Sequence, residues 1–194
     1  MWICIIVASF PWDFGAYQQQ ALLLSHQLAK QHDIQWMSFA NTKPMREEIY
    51  SSAQEMYSQV PTIKQPTQTY PHLTFVGLNT TSSIPISRLN MLSKKYNTDA
   101  YIFIGDVVKV VRDENMRIPS IIWFPHHFQT LTPREEFTLG AFGGIASLSP
   151  SSTSMIKKYL NRPVQHIPHI VTVDTTPEKK FQTWTVLMQG GNYD

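Results

Sequence analysis

His126 and His127 follow Ile121-Ile122-Trp123-Phe124-Pro125, an apolar run that reads as a buried strand. Neighbouring side chains at a strand end point to opposite sides, so at most one of the two faces a given cleft. An imidazole there can hydrogen-bond a sugar hydroxyl or steady charge on a leaving group. A capping or solvated loop histidine is the competing reading. Gly15 precedes a helical stretch whose first amides can hold an anion, or it simply permits a tight turn. Asp106, just past Ala100-Tyr101-Ile102-Phe103-Ile104, is a loop or capping residue by type and becomes a candidate through its place at a strand end. Ser149 stands where a strand over 144–148 hands over to a helix opening at Pro150.

Other chemistries lack their residues. The first turn carries one glycine and no G-x-G-x-x-G, which counts against NAD or FAD, and there is no P-loop. No serine elbow of the G-x-S-x-G kind occurs, and no carboxylate pair has a convincing setting. His166 and His169 flank Pro168 without an acidic neighbour, so zinc is not expected.

The elements that must position these residues alternate. Residues 2–8 form a continuous Ile- and Val-rich run, the mark of a strand covered on both faces. Ala16 to Lys30 is helical, with Ala21, Leu22, Leu24 and Leu28 on one face and Gln and Lys on the other. Ile34 to Phe39 is a second strand, completing a βαβ unit with parallel strands and a right-handed crossover. Arg46 to Tyr57 reads as a helix and Leu73 to Gly77 as a strand, with a Pro- and Thr-rich stretch between them. Further on, a helix over Ser87 to Tyr96 leads to the strand at Ala100, and a short helix is expected over Val107 to Arg112. After the strand 121–124, Thr132-Pro133-Arg134-Glu135 is a helix start with a capping threonine, a proline in the first turn and a glutamate three residues on. Strands over 144–148 and 164–168 enclose the helix that ends near Leu160. The fold class is therefore α/β, a doubly wound, Rossmann-like parallel sheet with helices on both faces. In such sheets ligands lie beyond the carboxyl ends of the strands, which is where all the candidates fall.

With 194 residues the chain has room for one ordinary domain and a short tail, and 42% hydrophobic residues suffice for a core. A net charge of +2 gives no electrostatic case for a nucleic-acid partner. The single cysteine, Cys4, lies in an apolar run and is expected to be a buried, inert thiol. No apolar stretch is long enough to span a bilayer, and residues 1–8 lack the basic start of a signal peptide, so a cytoplasmic location is expected.

Taken in order, these segments resemble the N-terminal domain of GT-B glycosyltransferases, the large group of retaining enzymes that use nucleotide-sugars. Phe14-Gly15-Ala16 with the leucine-rich helix resembles the family's opening glycine loop, although a second glycine common there is Ala16 here. Pro119 to His127 is similar to the strand whose terminal histidine enters the active-site cleft. Ile145 to Ser152 resembles a strand-to-helix step carrying a serine, and Val164 to Val171 a later strand in which the usual glycine is Ile170. Thr185 to Met188 with Gly190-Gly191-Asn192 is similar to the opening of the family's second domain.

The resemblance implies an acceptor-binding domain over 1–178 and, over 179–194, a linker and the first strand of a C-terminal donor-binding domain. His126 would then be the catalytic residue near the transferred sugar, and Gly15 and Ala16 would face the diphosphate. Phe14, Asp106, His127 and Ser149 would contact substrate. The nucleotide-sugar is a substrate, not a cofactor, no metal is expected, and the acceptor is a glycan, lipid or similar molecule. Peripheral membrane association has no sequence signal of its own. These 194 residues alone are expected to be catalytically inactive. A non-catalytic domain that holds a glycan or a partner is the alternative.

Overall fold

The computed structural model describes residues 1–11, 15–39, 73–78, 83–124 and 130–170. In chain order the elements are β1 (Trp2–Val7), α1 (Ala16–Leu28), β2 (Asp33–Ser38), β3 (Leu73–Gly77), β4 (Ile84–Pro85), α2 (Ile86–Lys95) and β5 (Ala100–Ile104). A 3₁₀ turn (Val107–Lys109) leads on to β6 (Val110–Val111), β7 (Ser120–Phe124), α3 (Pro133–Leu139), β8 (Gly144–Ser147), α4 (Pro150–Leu160) and β9 (Gln165–His166). The helix expected over Arg46 to Tyr57 and the strand expected over 185–188 lie outside the described residues, as does the division at 178/179.

Seven strands form one sheet in the order β3-β2-β1-β5-β7-β8-β9, with every neighbouring pair parallel. Alternation along each strand sends successive side chains to opposite faces and divides the core in two. Ile3, Ile5 and Val7 of β1 join Trp36, Ile104 and Trp123 beneath α1. Cys4 and Ile6 face the other way, with Phe103 and Phe124, toward Leu89 of α2, Leu139 of α3 and Ile156 of α4. Helices thus cover both faces, and the fold is Rossmann-like. Burying side chains as large as Trp36, Phe103 and Phe124 contributes roughly 1.5–3 kcal/mol each.

Local chemistry explains the helix ends. Thr132 accepts from the Glu135 N–H at 3.2 Å while the Glu135 carboxylate accepts from the Thr132 N–H at 2.8 Å, so the expected capping box closes at the start of α3. Pro85 gives α2 no side-chain cap, and Asp113 takes that role from a distant loop by accepting from the Ser87 N–H at 3.0 Å and from its hydroxyl.

Three expectations are corrected. The helix expected over Val107 to Arg112 is only one 3₁₀ turn. Val110 and Val111 instead pair with Ile84 and Pro85, because β-branched residues favour the extended state. The last strand shortens from 164–168 to Gln165–His166, an exposed sheet edge bounded by Pro163 and Pro168, which have no N–H to give. On α1 the glutamines do not all face water. Gln18, Gln20, Ala21 and Ser25 are the buried residues and the leucines are half-buried. Small side chains at Ala21 and Ser25 let the helix approach the sheet closely, and Gln20 stands one turn before Leu24 on the same stripe. Cys4 is buried as expected, and burial pushes its thiol well above the ordinary cysteine range.

Candidate functional site

Strand order reverses between β1 and β5, so the crevice expected in an open parallel sheet lies beyond Val7 and Ile104. The turn after β1 is held from two sides. The Trp36 indole N–H donates to the Ser9 carbonyl at 3.1 Å, the Ser38 hydroxyl donates to the Ala8 carbonyl at 3.3 Å, and the Gln18 amide donates to the Ser9 hydroxyl. Gly15 is the N-cap of α1 with no side-chain cap, and the first turn of the helix contains no acidic residue. The positive end of the helix dipole is therefore uncompensated by the helix itself and favours an anion at Gly15 and Ala16. A Cβ on Gly15 would lie 2.1 Å from Gln18 Oε1, so any larger residue displaces Gln18 from Ser9.

Across the switch point, Gly105 turns the chain with φ +143°, a conformation L side chains rarely adopt, and its N–H donates to the Trp123 carbonyl at 3.2 Å. Asp106 follows it, exposed, and its carboxylate makes no hydrogen bond or ion pair with a described residue. Ser149 caps α4, accepting from the Ser152 N–H at 3.1 Å, and its hydroxyl also meets those of Ser151 and Ser152. Its chemistry is first of all that of a cap. Phe14, His126 and His127 lie outside the described residues. The structure thus brings Gly15, Ala16, Asp106 and Ser149 to one edge of the sheet.

Beyond β9 the chain crosses that edge. The Ile167 N–H donates to the Ser147 carbonyl at 2.9 Å, and the Ile167 carbonyl accepts from the Trp123 indole at 3.0 Å. Three residues on, the Gln20 amide donates to the Ile170 carbonyl at 3.1 Å and its oxygen accepts from the Ile170 N–H at 2.5 Å. Gln20 is only 8% exposed, so losing this partner would leave a buried amide unsatisfied, a cost of about 1–3 kcal/mol. Under the crossing segment lies a crevice lined by Tyr17, Gln20, Ile104, Trp123, Leu148 and His169, which as it stands has no room for a water molecule.

Ser9, Gln18, Gln20 and Trp123 were not among the expected site residues. For Gln20 the signal was present, since it shares the helical stripe of Leu24 and Leu28. For the others only the folded turn shows the role. Among the described residues no group of three or more His, Cys, Asp and Glu gathers as a metal site. A separate hollow lined by Ser87, Asn90, Met91, Lys94, Glu114 and Arg117 lies beside α2 and the loop that enters β7. Among the described residues no helix is long and apolar enough to cross a membrane.

No protein-family model matches this chain, and no curated protein sequence matches it.

Proposed function

We propose that this chain is the acceptor-binding lobe of a GT-B, retaining glycosyltransferase. The acceptor, a glycan, lipid or similar hydroxylated molecule, occupies the crevice beyond β1 and β5, and a second lobe presents the nucleotide-sugar across it. Transfer breaks the sugar's bond to the diphosphate oxygen and forms one to the acceptor oxygen on the same face, the acceptor's proton passing to the departing diphosphate, so the configuration is kept. The helix dipole at Gly15 and Ala16 stabilises charge on the departing diphosphate. His126 steadies the transferred sugar, with Phe14, Asp106, His127 and Ser149 toward the acceptor. No metal or cofactor takes part, and the setting is cytoplasmic.

One observation carries the proposal: the reversal of strand order falls between β1 and β5, and the uncapped start of α1 and the exposed Asp106 follow the carboxyl ends of these two strands. A non-catalytic glycan-binding domain is the second reading. It is favoured by the engagement of Ser149 as a helix cap, which commits that hydroxyl to the fold. Calorimetry of the 194-residue chain tests the division of labour. Methyl glycosides should bind, and UDP- or GDP-sugars should bind poorly. Tight nucleotide-sugar binding to this chain would overturn the acceptor-lobe assignment.

A further inference from the structure

We infer that Gln20 is a latch, holding the segment Ile167–Ile170 down over the switch-point crevice so that a ligand enters only when this segment lifts; the ligand's identity rests on the acceptor reading above. The segment is fixed at two points and free between them. Its near end, Ile167, is bound into the sheet edge through the Ser147 carbonyl and the Trp123 indole. Its far end is held by the reciprocal pair between the Gln20 carboxamide and the Ile170 backbone. Between them stand Pro168, which has no N–H to anchor, and exposed His169, whose side chain roofs the crevice. Ile170 also packs against the apolar residues under α1, so the closed position buries both a polar and an apolar contact.

The latch has a definite chemistry. A carboxamide offers one donor and one acceptor side by side, and Ile170 satisfies both. Gln20 is buried while the segment is closed, and lifting it gives both groups over to water or to the incoming ligand. Two adjacent hydroxyls of a sugar ring do so, one donating to Gln20 Oε1 and the next accepting from Nε2. Ile104, Leu148 and the indole of Trp123 give the flat apolar wall against which a sugar ring packs. The crevice has no room for water while the segment is closed, and a ligand that carries a vicinal diol takes over both bonds of Gln20 when it opens.

The test is residue-resolved amide exchange on the full chain, comparing the wild type with Gln20→Leu and Gln20→Glu. Acrylamide quenching of Trp123 is read alongside, as the difference from a Trp123→Phe partner in each background. In Gln20→Leu the Ile170 amide should exchange about tenfold faster and Trp123 should become more quenchable, with the Ile5 amide of β1 unchanged. Gln20→Glu keeps the acceptor and loses the donor at neutral pH, so it should fall between the two. It carries the comparison alone if Gln20→Leu does not fold. Unchanged exchange at Ile170 would overturn the latch, as would acceleration at Ile170 and Ile5 alike, which marks general loosening. If Gln20→Leu frees the segment but methyl α-glucopyranoside fails to bind the wild-type chain, the latch stands and the acceptor reading fails.

Discussion

The indole N–H of Trp36, in the middle of β2, donates at 3.1 Å to the carbonyl of Ser9, beyond the end of β1. One strand thereby fixes the turn of its neighbour at the point where the candidate site begins. Trp36 is fully buried, so Trp36→Phe leaves both a small cavity and an unpaired carbonyl. The expected cost is about 2 kcal/mol in urea unfolding. The amides of Ser9 and Gly15 should also shift in the mutant's NMR spectrum, while those of α4 stay in place.

Gly105 sits at the other side of the switch point with φ +143°. Open space surrounds the site of a Cβ there, its nearest contact being a Phe103 ring carbon at 3.9 Å, so any penalty for Gly105→Ala is conformational, not steric crowding. We expect a loss of about 1–3 kcal/mol, read as a lower urea midpoint with an unchanged slope.

The cap that Asp113 places on α2 makes stability depend on pH. The Ser87 hydroxyl and then its N–H hold the Asp113 carboxyl below the ordinary carboxylate range. Folding therefore favours the ionised form. The contribution is complete above the unfolded value of about 4 and fades as pH falls through the lower folded value. Asp113→Asn should be less stable than the wild type at neutral pH, and the gap in urea midpoints should close in acid. Asp113 is exposed, so added salt should narrow the gap as well.

Much of this architecture was legible in the residues. Continuous apolar runs such as Ile3 to Val7 mark strands covered on both faces, and Thr132-Pro133-Arg134-Glu135 announces a helix start through its own hydrogen bonds. Their alternation was enough to expect a parallel sheet. Less legible was whatever depends on partners far along the chain. The pairing of Val110 with Ile84 has no local signature, because a two-residue strand carries no period. Gln20 shares the stripe of Leu24 and Leu28, but its partner, Ile170, is 150 residues away and no local spacing points to it. At the site, Gly15 and Asp106 could be placed by strand ends alone. The engagement of Ser149 as a cap and the closure of the crevice follow from side-chain geometry that spacing does not encode.

The central claim is that ligand binds beyond β1 and β5, and amide NMR mapping of the 194-residue chain titrated with methyl α-glucopyranoside addresses it most directly. Perturbations concentrated at Gly15, Ala16, Gly105, Asp106 and Ile170 are the expected result. Perturbations centred on Asn90 and Arg117, in the hollow beside α2, or none at saturating glycoside, would contradict it.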